Sequence, residues 1–146
     1  MADMKLKIGI IGTGSISESH MKAYKNNPKV ELYAFCDLSE SRAREKAERY
    51  GVKHVFTDAD EMLALPEIDA VSICTWNEQH APCAIAALNA GKHVLCEKPT
   101  AMSAREAKAM KEAAEKNGKL LMIGFVRRYG NDCDILQDLI KSGYLG

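Results

Sequence analysis

Ile8-Gly9-Ile10-Ile11-Gly12-Thr13-Gly14-Ser15-Ile16-Ser17 is the stretch whose reading decides the fold. It closes an apolar run, Leu6–Ile11, and leads into a helical pattern, Ser15–Asn26. Between run and helix stands the series G-x-G-x-x-S, at Gly12, Gly14 and Ser17. A bare G-x-G is common, and its position between a strand and a helix is what gives it weight. Gly12 permits the tight turn, and Gly14 removes the Cβ that would keep a ligand from the backbone. Thr13, Ser15 and Ile16 complete the loop. The first N–H groups of a helix have no internal partner and suit an anion such as a pyrophosphate. Ser17 is small enough for close helix–strand packing.

Outward from this turn, the run Val30–Cys36 ends in Asp37. An acid about 20 residues beyond the glycines is placed to accept from ribose hydroxyls and to repel a 2′-phosphate. Turn and acid together read as a nicotinamide-dinucleotide site, with NAD favoured over NADP. Arg42, one helical turn on, is the opposing signal because it could face a 2′-phosphate; among Arg44, Glu45 and Lys46 it also reads as a solvated helix residue. The plain alternative is that the glycines only turn a corner and Asp37 only ends a strand.

The rest of the chain repeats the pattern. Apolar runs recur at Lys53–Phe56, Ala70–Thr75, His93–Cys96 and Leu120–Phe125, continuous rather than alternating, as in strands covered on both faces. Helical patterns lie between them at Ser39–Tyr50, Asp58–Leu65, Asn77–Ala90 and Ser103–Asn117. Gly51, Gly91 and Gly118 mark helix ends, Ser39, Asp58, Asn77 and Ser103 are candidate N-caps, and Glu106 completes a capping box with Ser103. Strand and helix in alternation imply a doubly wound, six-stranded parallel sheet of the Rossmann type with helices on both faces. Residues 1–125 form this domain. After Phe125 the chain is irregular, then Asn131–Ser142 carries Ile135, Leu136, Leu139 and Ile140 on one stripe.

Bulk composition narrows the function classes. A chain of 146 residues, 47% hydrophobic and 27% charged, suits one globular domain. Lys+Arg and Asp+Glu both number 20, which leaves no basic footprint for nucleic acid or an anionic membrane. The five cysteines are an odd number without a C-x-x-C, against a disulfide framework and against a zinc site, so no metal is expected. Without an export signal or a membrane-spanning run, a cytoplasmic location is expected.

Two later loops fall at strand ends, where open α/β sheets bind ligands. Thr75-Trp76-Asn77 leads to His80. Asn77 serves the cleft or caps its helix, and His80 lines the cleft or packs. Cys96-Glu97-Lys98-Pro99 offers a lysine able to polarise a substrate hydroxyl during hydride transfer, or simply a surface lysine before a proline. Gly124-Phe125-Val126-Arg127-Arg128-Tyr129 sets arginines at the sixth strand's exit, for a substrate or a domain interface.

In order and spacing these motifs (G-x-G-x-I with His20, Asp37, T-x-N-x-x-H, E-K-P and G-F-x-x-R-Y) resemble the Gfo/Idh/MocA oxidoreductases. The resemblance spans essentially the whole chain. It implies a dehydrogenase acting on a secondary alcohol of a sugar or polyol, with Lys98 catalytic beside the nicotinamide and a Lys98–Pro99 bond that is often cis. Cofactor contacts are expected from Gly12, Thr13, Gly14, Ser15, Ile16, Asp37, Thr75, Trp76, Asn77, His80, Glu97, Lys98 and Arg128, and the resemblance implies that Arg128 lies near the domain junction. Trp76 departs from the family, which usually has proline there. Family members carry a second domain that supplies the sugar pocket, a histidine and usually the oligomer interface. Residues 126–146 are therefore expected to be a linker and that domain's first helix. The chain alone is expected to bind NAD(H) without turnover, with its apolar stripe left uncovered and a tendency to self-associate as a homo-oligomer. The alternatives are a single-domain NAD(P)-sensing regulator, which would not need Lys98, and a methyltransferase, which the sixth strand and E-K-P disfavour.

Overall fold

The computed structural model describes residues 5–145. Met1–Met4, part of the segment read as lacking an export signal, and Gly146, the end of the expected linker and helix, lie outside the described residues. Six strands, β1 (Leu6–Ile11), β2 (Val30–Cys36), β3 (His54–Phe56), β4 (Ala70–Ile73), β5 (His93–Cys96) and β6 (Leu121–Ile123), form one sheet. Its order is β3-β2-β1-β4-β5-β6, and every neighbouring pair is parallel. The expected doubly wound sheet is therefore present.

The continuous apolar runs have their explanation in two cores. Successive residues of a strand face opposite sides, and in β1 both sides are covered. Ile8 and Ile10 pack with Phe35, Met21 and Ala47 on one face. Ile11 joins Val71, Ile73, Leu88 and Met110 on the other. Helices α1 (Ser17–Lys25) and α2 (Glu40–Tyr50) contribute to the first core; α3 (Ala59–Leu63), α4 (His80–Asn89) and α5 (Ala104–Asn117) contribute to the second.

Element ends differ from expectation where a ladder partner runs out. β4 stops at Ile73, not Thr75, because its neighbour β1 ends at Ile11, whose carbonyl takes the Cys74 N–H at 2.8 Å. The outer strand β6 pairs only with Val94–Cys96, so it is shorter than Leu120–Phe125. Gly51, Gly91 and Gly118 take positive φ at the helix ends, as expected. Asp58 and Ser103 cap by accepting from the amides of Asp60 and Glu106. In the capping box, Glu106 reaches back to the Met102 amide at 2.9 Å rather than to Ser103. Ser39 holds the cap position of α2, but its hydroxyl pairs with Ser41 at 3.1 Å and caps nothing.

Helices α1 and α2 are joined through Glu18, which accepts from Lys46 Nζ and from Tyr50 OH at 2.7 Å, with Arg49 alongside. Those hydrogen bonds, the Lys46 one foremost, lower the Glu18 carboxyl to about 2. The five cysteines are free. Burial pushes the thiols of Cys36, Cys74 and Cys96 up to about 12, consistent with small hydrophobes rather than nucleophiles.

Beyond β6 a 3₁₀ turn, Val126–Tyr129, leads to α6 (Asn131–Lys141). None of its residues is buried, and Ile135, Leu136 and Ile140 are exposed. Gly143–Leu145 form a turn.

Candidate functional site

Because all six strands run the same way, the loops at their carboxyl ends share one edge of the sheet. The strand order reverses beside β1, between β2 and β4, which opens a crevice there. The glycine turn sits at that point. Gly12 takes φ +87°, and a Cβ on it would lie 2.7 Å from the Cys74 carbonyl oxygen, so the fold itself demands glycine. Gly14 differs. It has no such φ, and a Cβ there would meet nothing within 4 Å. The fold itself therefore places no demand for glycine at 14. Among the described residues the amides of Gly14 and Ser15 find no protein acceptor. Ser15 and Ile16 are exposed in the turn, and α1 begins at Ser17 rather than Ser15. Ser17 is fully buried and donates to the Gly14 carbonyl at 2.6 Å, fastening the turn from below. These residues fit a dinucleotide pyrophosphate.

Asp37 follows β2 as expected. Its Oδ2 accepts from the Thr13 amide at 2.7 Å and the Thr13 hydroxyl at 2.9 Å, and Oδ1 accepts from the Ser39 amide at 2.9 Å. Burial pushes this carboxyl up, but the bonds from Ser39 and Thr13 and the Arg42 guanidinium outweigh it and hold the group below its ordinary value. The acid is thus ionised and aimed by the turn it serves. Arg42 lies 3.7 Å from Oδ1, half-exposed. Thr13 was expected to touch the cofactor. It is fully buried with both donors committed to Asp37, so its contribution is to aim that carboxylate.

At the β4 end, Thr75 is half-buried and Trp76, 83% exposed, stands at the rim. Asn77 lies inside a 3₁₀ turn, Asn77–Gln79, and the cap position of α4 is Gln79. The capping role is therefore absent and the exposed Asn77 side chain faces solvent. His80 is 1% exposed and does not line the cleft. Its Nδ1 is 2.6 Å from the Pro99 carbonyl and its Nε2 3.3 Å from the Thr75 carbonyl. It sits between the β4 and β5 loops, where a single ring N–H can donate to the nearer acceptor, the Pro99 carbonyl.

The β5 loop holds Lys98, exposed, before a cis Pro99. Glu97 also departs from its expected role of cofactor contact: it is buried, with Oε1 3.0 Å from His20 Nε2 and Oε2 accepting from the Lys98 amide at 3.0 Å. Lys98 lines a hollow of about 550 Å³ with Phe125, Val126, Arg127 and the exposed Arg128. A smaller hollow of about 380 Å³ lies near Lys5, Asn27 and Glu31, where β2 begins, away from the strand ends that bind ligands in such sheets.

Sequence reasoning missed a polar chain beneath Lys98. Ser72 Oγ lies 2.6 Å from Tyr24 OH and 3.3 Å from His20 Nδ1. The available signal was Ser72 itself, a polar residue in a strand covered on both faces, which must find a partner. Among the described residues no group of His, Cys, Asp or Glu could hold a metal, and no helix is long and apolar enough to cross a membrane.

Residues 6–125 match the model of a family described as "Oxidoreductase family, NAD-binding Rossmann fold". The inositol 2-dehydrogenase of Salmonella paratyphi B is 38% identical over 98% of this chain and 44% of its own length. The D-glucoside 3-dehydrogenase of Escherichia coli is 37% identical over 100% of this chain and 42% of its own. Among solved structures, apo scyllo-inositol dehydrogenase from Lactobacillus casei superposes with a TM-score of 0.89 at 28% identity, covering 100% of this chain and 44% of that one. The chain spans less than half the length of the relatives it matches.

Proposed function

The chain belongs to the Gfo/Idh/MocA oxidoreductases, as their NAD-binding Rossmann domain, and from that premise we propose that it holds NAD for hydride exchange with a secondary alcohol of a sugar or polyol. The observation that supports the reading is the shared sheet edge: Gly14, Asp37 and Lys98 follow β1, β2 and β5, at the carboxyl ends of strands in one parallel sheet. When bound, the nicotinamide supplies a two-electron hydride acceptor or donor. The residues of this chain do the rest. The amides of Gly14 and Ser15 receive the pyrophosphate, and the ionised Asp37 accepts from the adenosine ribose. Its charge disfavours a 2′-phosphate, so NAD is preferred to NADP although Arg42 is near. Thr75, Trp76 and Asn77 flank the cofactor from the β4 side. Lys98 donates to the substrate hydroxyl oxygen and stabilises negative charge there as the carbinol hydrogen departs. Arg128 and the hollow beside Lys98 face the substrate.

Residues 126–146 serve as linker and first helix of a second domain, to which we assign the proton acceptor, the sugar-selecting groups and the homo-oligomer interface. A cytoplasmic setting suits this chemistry and the free thiols. The 146-residue chain alone binds NAD(H) and does not turn over.

The test uses Trp76, the only tryptophan. Titration of the chain with NADH is expected to quench its emission, more strongly than NADPH does. In the proposed full-length enzyme, supplied with NAD and a panel of inositols and glucosides, Lys98→Met is expected to abolish turnover while NADH binding persists. Undiminished turnover in Lys98→Met would sink the assignment of Lys98, and absence of binding would sink the cofactor site. Polyol oxidation by the 146 residues alone would refute the division of labour.

A further inference from the structure

One assignment of protons satisfies the whole polar chain beneath Lys98. With the imidazole neutral, every donor in it finds one acceptor. Tyr24 O–H donates to Ser72, and Ser72 O–H donates to His20 Nδ1. His20 Nε2–H donates to Glu97 Oε1, and the Lys98 amide donates to Oε2. The members come from α1, β4 and the β5 loop, so the chain ties the lysine-bearing loop to two packed elements.

The end of β5 does not need this arrangement to stay in place. The Glu97 amide already donates to the Ile73 carbonyl at 3.0 Å, and the Gly124 amide to the Cys96 carbonyl at 2.8 Å. A buried ion or dipole chain is seldom the most stable filling for a core, since apolar residues of similar volume often do as well or better. What Glu97 adds is a fixed acceptor one residue before the lysine. Neighbouring chain makes room for it: a Cβ on Gly124 would stand 3.3 Å from Glu97 Oε1.

We infer that His20 is a positioning residue for Lys98, acting through Glu97 to fix the Lys98 backbone and hence the origin of its side chain. This rests on the reading of Lys98 as the group that meets the substrate hydroxyl. His20 itself touches neither substrate nor cofactor. Its effect is on aim, and misplacement of a reacting group by about 1 Å costs on the order of 100-fold in rate.

The test compares His20→Leu, which keeps bulk and removes the donor, with His20→Gln, which restores an N–H to Glu97. Amide hydrogen exchange at Lys98 and NADH affinity are measured on the 146-residue chain, and kcat and KM on the proposed full-length enzyme. In folded His20→Leu, Lys98 exchange is expected to rise about tenfold or more while NADH affinity stays within about threefold. The value of kcat should fall on the order of 100-fold with KM little changed, and His20→Gln should recover most of both. Unchanged Lys98 exchange in the folded variant overturns the inference; so does faster exchange with unchanged kcat. If His20→Leu does not fold, Ser72→Ala, which strips the support behind His20 Nδ1, is read by the same criteria. Lys98→Met separates the two claims. If it retains full turnover, the reading of Lys98 fails; if it is inactive while folded His20→Leu turns over normally, only the positioning role fails.

Discussion

Thr13 and Asp37 are joined twice, by the Thr13 amide at 2.7 Å and the Thr13 hydroxyl at 2.9 Å, both to Asp37 Oδ2. The residue between the two glycines thus aims the acid at the end of the neighbouring strand, and a change at Thr13 is expected to reach the ribose contact proposed for Asp37. Thr13→Val keeps the shape and the amide bond and removes one bond to a charged acceptor, worth roughly 1.5–3 kcal/mol. Chemical denaturation should register a loss of that order, accompanied by weaker NADH binding. Full stability and affinity in Thr13→Val would show the hydroxyl bond to be idle.

The two glycines differ in what the fold demands of them. Gly12→Ala places a side chain at φ +87° and drives its Cβ against the Cys74 carbonyl. It should cost about 3 kcal/mol or more, or prevent folding. Gly14→Ala enters open space and should leave stability within about 0.5 kcal/mol. Its NADH affinity should nevertheless drop about tenfold or more, which fluorescence titration would detect. Equal stability losses in the two variants would contradict this division.

The proposed preference for NAD over NADP rests on Asp37 and can be tested together with Arg42. Replacing Asp37 by Ser removes the negative charge and leaves the Arg42 guanidinium, previously 3.7 Å from that carboxylate, available to a 2′-phosphate. The ratio of NADPH to NADH affinity should rise about tenfold or more, since like-charge contact costs several kcal/mol. Arg42→Ala added to Asp37→Ser should cancel the gain. A ratio that ignores both changes would place the 2′-position elsewhere.

Glu18 gives the domain an acid-sensitive clamp. Its carboxyl is lowered from 4.5 to about 2 by its bonds from Lys46 and Tyr50. In the unfolded chain the group binds its proton at the higher pH, so between those values the unfolded state carries more protons and stability rises with pH. The contribution is complete above pH 4.5 and lost as pH falls towards 2. Glu18→Gln should flatten this limb of the stability–pH curve and lower stability at neutral pH. An unchanged acid limb would mean that the clamp is open in solution.

The thiols should react in an order set by burial. Cys36, Cys74 and Cys96 are buried with their thiols pushed up to about 12, whereas Cys133 lies half-buried on α6. Mass spectrometry after brief alkylation of the native chain at neutral pH should find Cys133 modified first. The three core thiols should react only on unfolding. Early labelling of Cys96 would show that the β5 end opens readily.

Much of the architecture was legible because its signals are local. Continuous apolar runs required cover on both faces, and the two cores on either side of β1 supply it. Gly12 and Gly14 marked the turn, and Asp37 followed its strand. Element ends were less legible, since Thr75 leaves the strand only because β1 has already ended beside it.

By itself the sequence determined the strand–helix alternation, the glycine turn, the acid after the second strand and the family pattern. Each of these depends on residues close together in the chain or on motif order. Only the tertiary structure decided what the buried polar side chains do. Thr13 aims Asp37, His80 packs between two loops, and Glu97 accepts from the Lys98 amide. Such a side chain takes its role from whichever partner the fold brings within about 3 Å. For His20 those partners are 52 and 77 residues away, a distance over which no local pattern points.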